Sequence, residues 1–293
     1  MNSPDWFIAN ISASTTEHVA CVAGSRIAYR AWNLDAPLPG LLFVHGYGAH
    51  SHWWDFIAPA FTDKYRVAAM DLSGAGDSEH RDSYSASTFA LEILTVAQAL
   101  GENTLVVGHS FGGTMTRIAG FEQGPLLAGV VLVDSSITRH QGSRQAPPTP
   151  KSQVRYYPSL EEGIRRFRLR PPQPCDNDYL LAHIARHSLR IDRQGYSFKL
   201  DQALFAKMRT TPSSSAPDAA TMLAAISCPV GIIYGDLSRF FPSETRQLVA
   251  SLVPKNHIKC IPQAHHHVFL DQPLAFIHSL RELLDQMTEG ANL

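Results

Sequence analysis

The chain has 293 residues, with 25 Lys and Arg set against 26 Asp and Glu, a formal net charge of −1 at pH 7 and 44% hydrophobic residues. Such a length suits one continuous core with an insertion, and the balanced charge leaves no long-range field to gather nucleic acid or an anionic membrane. Met1 to Ala20 carries Asp5 and Glu17 and lacks the basic and apolar regions of a secretory leader. No stretch approaches the ~20 apolar residues that cross a bilayer. Cys21, Cys175, Cys228 and Cys260 are scattered, with no C-x-x-C pair. The expectation is a soluble, cytoplasmic protein with reduced thiols and neither a nucleic-acid nor a membrane partner; homodimerisation is left open.

Short β-rich apolar runs predict strands over 26–29, 41–44, 67–70, 105–107, 130–133, 230–234 and 258–261. Between them, Phe89, Ile93, Val96 and Leu100 recur at helical spacing within 87–100, and similar patterns cover 111–121, 243–252 and 274–287. This alternation predicts an α/β fold, a mostly parallel central sheet with helices on both faces. It breaks after Asp134 and resumes near Cys228. The intervening stretch holds Pro147, Pro148, Pro150, Pro158, Pro171, Pro172 and Pro174, with apolar positions at Leu160, Ile164 and Phe167 and at Tyr179, Leu180, Ile184 and Leu189. It reads as an inserted, mainly helical cap over 137–226, closed by a loop at Ser213–Ser215, with 1–136 and 227–293 forming the core domain.

One local motif carries chemistry. Leu105-Val106-Val107-Gly108-His109-Ser110-Phe111-Gly112-Gly113 is a strand running into G-x-S-x-G and then into a helix, the pattern of a nucleophile elbow. Gly108 and Gly112 allow a sharp turn that lifts the Ser110 hydroxyl above the sheet edge, at the positive end of the following helix. Upstream, another strand ends in His45-Gly46-Tyr47-Gly48. A loop of that kind supplies the second oxyanion-hole amide in such folds, so the backbone N–H groups of Tyr47 and Phe111 are the candidate donors.

With Asp71-Leu72-Ser73-Gly74-Ala75-Gly76-Asp77-Ser78 added, the chain resembles the α/β-hydrolase superfamily, in which D-L-x-G-x-G-x-S follows the fourth strand as a structural loop. The resemblance implies a capped serine hydrolase. Gln263 to Pro273 is similar to the superfamily's G-H-x-x-x-x-[ED]-x-P loop, and matching Asp271 and Pro273 places the catalytic imidazole at His266. The acid departs from the common pattern, because the position it usually fills after the strand beyond the cap holds Ser238. Two carboxylates could replace it: Asp236, displaced along the same loop, and Asp134, at an alternative position that some members use. Asp134 is favoured, since Asp236 requires the loop to shift and a triad is defined by geometry.

The implied function is cleavage of a carboxylic ester or thioester of a small-molecule acyl substrate, through an acyl-enzyme on Ser110. Carbon–carbon bond hydrolysis of a vinylogous diketone is the alternative, and a non-catalytic ligand-binding protein on the same fold the weaker one. A serine at the elbow argues against the dehalogenase and epoxide hydrolase branches, whose nucleophile is an aspartate. Neither cofactor nor metal is expected: His265, His266 and His267 are consecutive and cannot easily converge on one ion. His183 and His187 share a helical face but are read as packing. Trp53 and Trp54 are open between acyl-pocket and packing roles. Arg165, Arg166, Arg168 and Arg170 read as a solvated face balanced by Glu161 and Glu162, with a substrate-anion clamp as the sharper option.

Overall fold

Eight strands form one sheet in the order β1-β2-β4-β3-β5-β6-β9-β10 in the computed structural model, which describes residues 3–137, 154–208 and 217–289. In chain order the elements are α1 (Asp5–Ile11), β1 (Thr16–Val22), β2 (Ser25–Trp32), β3 (Gly40–Val44), β4 (Arg66–Met70), α2 (Ala86–Ala99), β5 (Thr104–His109), α3 (Phe111–Gln123) and β6 (Leu127–Val133). There follow α4 (Leu160–Arg166), α5 (Asp178–His187), β7 (Leu189–Asp192), β8 (Gly195–Phe198) and α6 (Leu204–Lys207). The chain ends with α7 (Ala219–Ala224), β9 (Val230–Gly235), α8 (Ser243–Leu252), β10 (Ile258–Ile261), α9 (Val268–Asp271) and α10 (Pro273–Glu289). β1 and β2 are antiparallel, as are β2 and β4, and every pairing from β4 to β10 is parallel.

Parallel central strands are covered on both faces and so read as unbroken apolar runs. Leu41 and Phe43 of β3, Val67 and Ala69 of β4, Leu105 and Val107 of β5 and Val131 and Val133 of β6 face one core, together with Phe276, Leu280, Leu283 and Leu284 of α10. Their neighbours Leu42, Val44, Ala68, Met70, Val106 and Val130 face the other, against Phe89, Ile93 and Val96 of α2 and Met115 and Ala119 of α3. The alternation follows from the two-residue period of a strand. Ser85 caps α2 by accepting a hydrogen bond from Thr88 N–H at 3.0 Å.

β1 has no counterpart among the predicted strands. As an edge strand it buries only Val22 fully, and its polar, half-exposed composition gives no apolar run to detect. Leu189, grouped above with helical positions, instead opens the β7–β8 hairpin: α5 ends at His187 with Ser188 as its C-cap, and Leu189 is the one buried residue of β7. Pro147, Pro148, Pro150 and Ser213–Ser215 lie outside the described residues. The 154–208 segment is tied to the core by bridges between Leu200 and Ala75 and between Met208 and Tyr84. Among the described residues no helix is long and apolar enough to cross a membrane, and all four cysteines are unpaired.

Candidate active site

The sharpest turn of the sheet is the step from β5 into α3. Ser110 takes φ 53° and ψ −115°, a backbone region that costs an L side chain about 1–3 kcal/mol. The surroundings enforce it: Ser110 N–H donates to the Val133 carbonyl at 2.9 Å, and Ser135 Oγ donates to the Ser110 carbonyl at 2.9 Å. Glycine is required beside it. A Cβ on Gly108 would stand 2.3 Å from Thr116 Oγ1, and one on Gly112 would stand 2.2 Å from the His45 carbonyl oxygen.

Ser110 Oγ lies 2.8 Å from His266 Nε2, and His266 Nδ1 lies 3.0 Å from Asp134 Oδ2. A carboxylate only accepts, so Nδ1 carries the proton and Nε2 is free to accept from the Ser110 hydroxyl. Asp134 is wholly buried just past β6, at φ 43°, with its N–H bonded to the Ile233 carbonyl at 2.8 Å. Burial raises its carboxyl pKa, opposed chiefly by the hydrogen bond from His266 and then by that from Ser238. Asp236 engages differently. Its Oδ1 accepts from Ala264 N–H at 3.3 Å, and its carbonyl accepts from Arg246 Nη2 at 2.7 Å.

Ser238 occupies the place that the superfamily pattern gives to a carboxylate, and its hydroxyl donates to Asp134 Oδ2 at 2.6 Å. The sequence pattern marked this position without revealing that role. Phe240, also unnoticed in the sequence, lays its ring 4.3 Å from that of His266. Gln173 was missed as well: its Oε1 accepts from His267 N–H at 2.8 Å while its Nε2 donates to Asp271 Oδ1 at 2.9 Å. Asp271 Oδ2 in turn accepts from His265 N–H at 2.6 Å, so the matched acid shapes the histidine loop.

The three consecutive histidines diverge. His265 turns to Asp271 (3.1 Å), His266 to Ser110 and Asp134, and His267 Nε2 to the Pro171 carbonyl (3.3 Å). His109, His266 and His267 do offer nitrogens within 4.8 Å of one another, but both ring nitrogens of His266 are already engaged.

Tyr47 and Phe111 meet where the loop after β3 crosses the start of α3, their rings 6.5 Å apart. Together with Gly48, Leu72, Leu200 and Leu204 they line a cleft between the core and the 154–208 segment. His45 holds this loop in place: its Nδ1–H donates to the Gly46 carbonyl at 2.7 Å and its Nε2 accepts from Leu72 N–H at 3.0 Å. Burial lowers its pKa, keeping the ring neutral in the one tautomer that serves both bonds. The aspartate-glycine loop is a scaffold. Asp71 accepts from Ser51 N–H at 2.6 Å and Asp77 N–H at 2.9 Å, and a Cβ on Gly76 (φ 57°) would stand 2.1 Å from the Asp71 carboxyl carbon.

Trp54 is core, 4.8 Å from the Phe43 ring and 4.5 Å from that of Phe269, and Trp53 packs 5.3 Å from His267. Arg165, Arg166, Arg168 and Arg170 are exposed. Of these, Arg170 comes beside the Tyr47 loop, where a Cβ on Gly48 would stand 3.6 Å from its Cδ.

The sequence profile described as the alpha/beta hydrolase family matches residues 41–279. The chain belongs to that family. It is 27% identical over 254 residues to a 2-succinyl-6-hydroxy-2,4-cyclohexadiene-1-carboxylate synthase of Escherichia fergusonii, covering 84% of this chain and 94% of the relative. It is 26% identical over 251 residues to a pimeloyl-[acyl-carrier protein] methyl ester esterase of Edwardsiella ictaluri, covering 84% and 93%. Among solved structures, that of E-2-(acetamidomethylene)succinate hydrolase superposes with a TM-score of 0.75 at 18% identity, covering 93% of this chain and all of that one.

Proposed function

We propose that the protein is a serine hydrolase that cleaves a carboxylic ester or thioester of a small acyl substrate, with Ser110, His266 and Asp134 as its catalytic triad. The observation that carries this is the continuous relay from Ser110 Oγ through His266 to Asp134, at 2.8 Å and 3.0 Å. His266 Nε2 takes the hydroxyl proton as Ser110 attacks the carbonyl, while Asp134 fixes the tautomer and stabilises the imidazolium. The Tyr47 and Phe111 N–H groups receive the developing oxyanion; one such donor is worth about 2.7–4 kcal/mol of transition-state stabilisation. His266 then protonates the leaving alcohol or thiol, and water releases the acyl group by the same route.

The strained Ser110 backbone supports the same reading, since strain of this kind clusters at working sites. The described 154–208 segment is read as part of a cap over the cleft, with Leu200 and Leu204 supplying part of its lining. The esterase relative adds weight to ester chemistry. The other relative is a synthase by name, so ester cleavage is not the one activity among similar chains, and carbon–carbon bond hydrolysis stays the alternative reading.

The test is reaction with a fluorophosphonate and with a chain-length series of p-nitrophenyl esters. Labelling of Ser110 and a burst of p-nitrophenol that disappears in Ser110→Ala are expected. Labelling without ester turnover would move the assignment to the carbon–carbon reading, and failure to label would favour a binding protein.

A further inference from the structure

His52 and Asp55 stand three residues apart on a short 3-10 turn after β3, a spacing that puts both side chains on one face. His183 and His187 stand four apart on α5 and likewise share a face. The fold sets these two faces against each other. Asp55 Oδ2 lies 2.7 Å from His52 Nδ1 and 2.9 Å from His183 Nε2, and the His52 and His187 rings stack at 4.0 Å. One ligand atom from each of the four lies within 4.8 Å of the other three. We infer that His52, Asp55, His183 and His187 form a structural site for a divalent transition-metal ion, with Zn(II) the best fit, separate from the proposed triad.

The donor chemistry favours such an ion. Three imidazoles and one carboxylate suit Zn(II), and four protein ligands make a closed, structural site rather than a catalytic one. Tetrahedral bonds of ~2.0–2.1 Å place ligand atoms ~3.4 Å apart, so the wider gaps close, the two shortest open by about 0.5–0.7 Å, and the stacked His52 and His187 rings turn toward the ion. Outer support is present as well: Arg30 Nε donates to Asp55 Oδ1 at 3.2 Å, leaving Oδ2 to face the histidines. His183 and His187 are only half-buried, which gives the ion a way in. Bound there, it would staple α5 to the chain just beyond the Tyr47 loop, fixing one wall of the cleft's surroundings.

The test uses the full chain, stripped with EDTA and then supplied with Zn(II), or with Co(II) as a coloured substitute. Each protein serves as its own reference, the readout being the Tm with metal minus the Tm in EDTA. Wild type is expected to retain one Zn(II) per chain after gel filtration, to rise in Tm, and to give the visible absorption of tetrahedral Co(II). His187→Gln and His183→Gln are expected to lose all three responses, while His267→Gln keeps them. No retained metal in wild type, or equal retention in His187→Gln, would overturn the inference. Loss confined to His267→Gln would do the same, by moving the metal to the histidines around His109.

Discussion

Ser238 donates its hydroxyl to Asp134 Oδ2 at 2.6 Å, the same oxygen that accepts from His266 Nδ1 at 3.0 Å. Asp134 Oδ1 finds no partner among the described residues, so this buried carboxylate is held by two side-chain donors on one oxygen. A hydrogen bond to a charged group contributes about 1.5–3 kcal/mol. Ser238→Ala is therefore expected to lower stability to urea by about that amount. It should reduce kcat/KM less than loss of Asp134 itself, and unchanged stability would show that the bond contributes nothing.

The two residues also predict that the proposed triad acid can move. Asp134→Asn should leave the imidazole in the wrong tautomer and lower kcat by about 10⁴-fold, as in triads of this kind. Asp236→Asn should change kcat little, because among the described residues its carboxylate is bonded to the Ala264 amide and not to His266. Adding Ser238→Asp to Asp134→Asn puts a carboxyl carbon close to where Ser238 Oγ now stands, 2.6 Å from the side-chain oxygen that meets His266, and its own oxygens reach one bond further. Recovery of at least about tenfold in kcat, or 1.4 kcal/mol of barrier, is expected. A double variant no faster than Asp134→Asn would rule out a functional exchange between the two positions.

Strain at Ser110, the proposed nucleophile, should be measurable as a trade of stability for position. Ser110→Ala and Ser110→Gly both remove the hydroxyl and should both abolish ester turnover, but only glycine accepts φ 53° and ψ −115° without cost. Glycine is ordinarily the less stabilising of the two through its unfolded-state entropy, by about 0.4–1 kcal/mol. Here Ser110→Gly is expected to unfold at higher urea than Ser110→Ala, by about 1 kcal/mol. The reverse order would mean that the elbow stores no strain.

Features written in contiguous residues were legible in the sequence. The strand-glycine-serine-glycine-helix run located Ser110, and the unbroken apolar runs at 41–44 and 130–133 located two of the central strands, because burial on both faces leaves no polar position to obscure them. Pairings between distant residues were not. His183 and His187 looked like packing residues because Asp55, which gives their position meaning, is 128 residues away from His183. Ser238 was visible as a departure from a pattern, whereas its partner depends on the register that sets β6 beside β9. Gln173, which holds the histidine loop from the far segment, left no local sign at all.

Acid should weaken the fold through its buried neutral histidines, and His267 offers the cleanest measure. Burial, with the nearby His266 adding to it, lowers its pKa to about 3, against ~6.5 in an unfolded chain. Above pH ~6.5 the ring is neutral in both states and its contribution is fully present. As the pH falls, the unfolded chain takes up a proton that the folded chain refuses until near pH 3, so stability is lost through that window. At pH 5 the loss from this one ring is about 2 kcal/mol. His45, His50 and His109, also lowered by burial, act in the same direction. Urea unfolding at pH 7, 6 and 5 is expected to show wild type losing stability more steeply than His267→Gln, which retains an N–H to offer the Pro171 carbonyl but takes up no proton. Parallel losses in the two proteins would show that His267 titrates alike in the folded and unfolded chains.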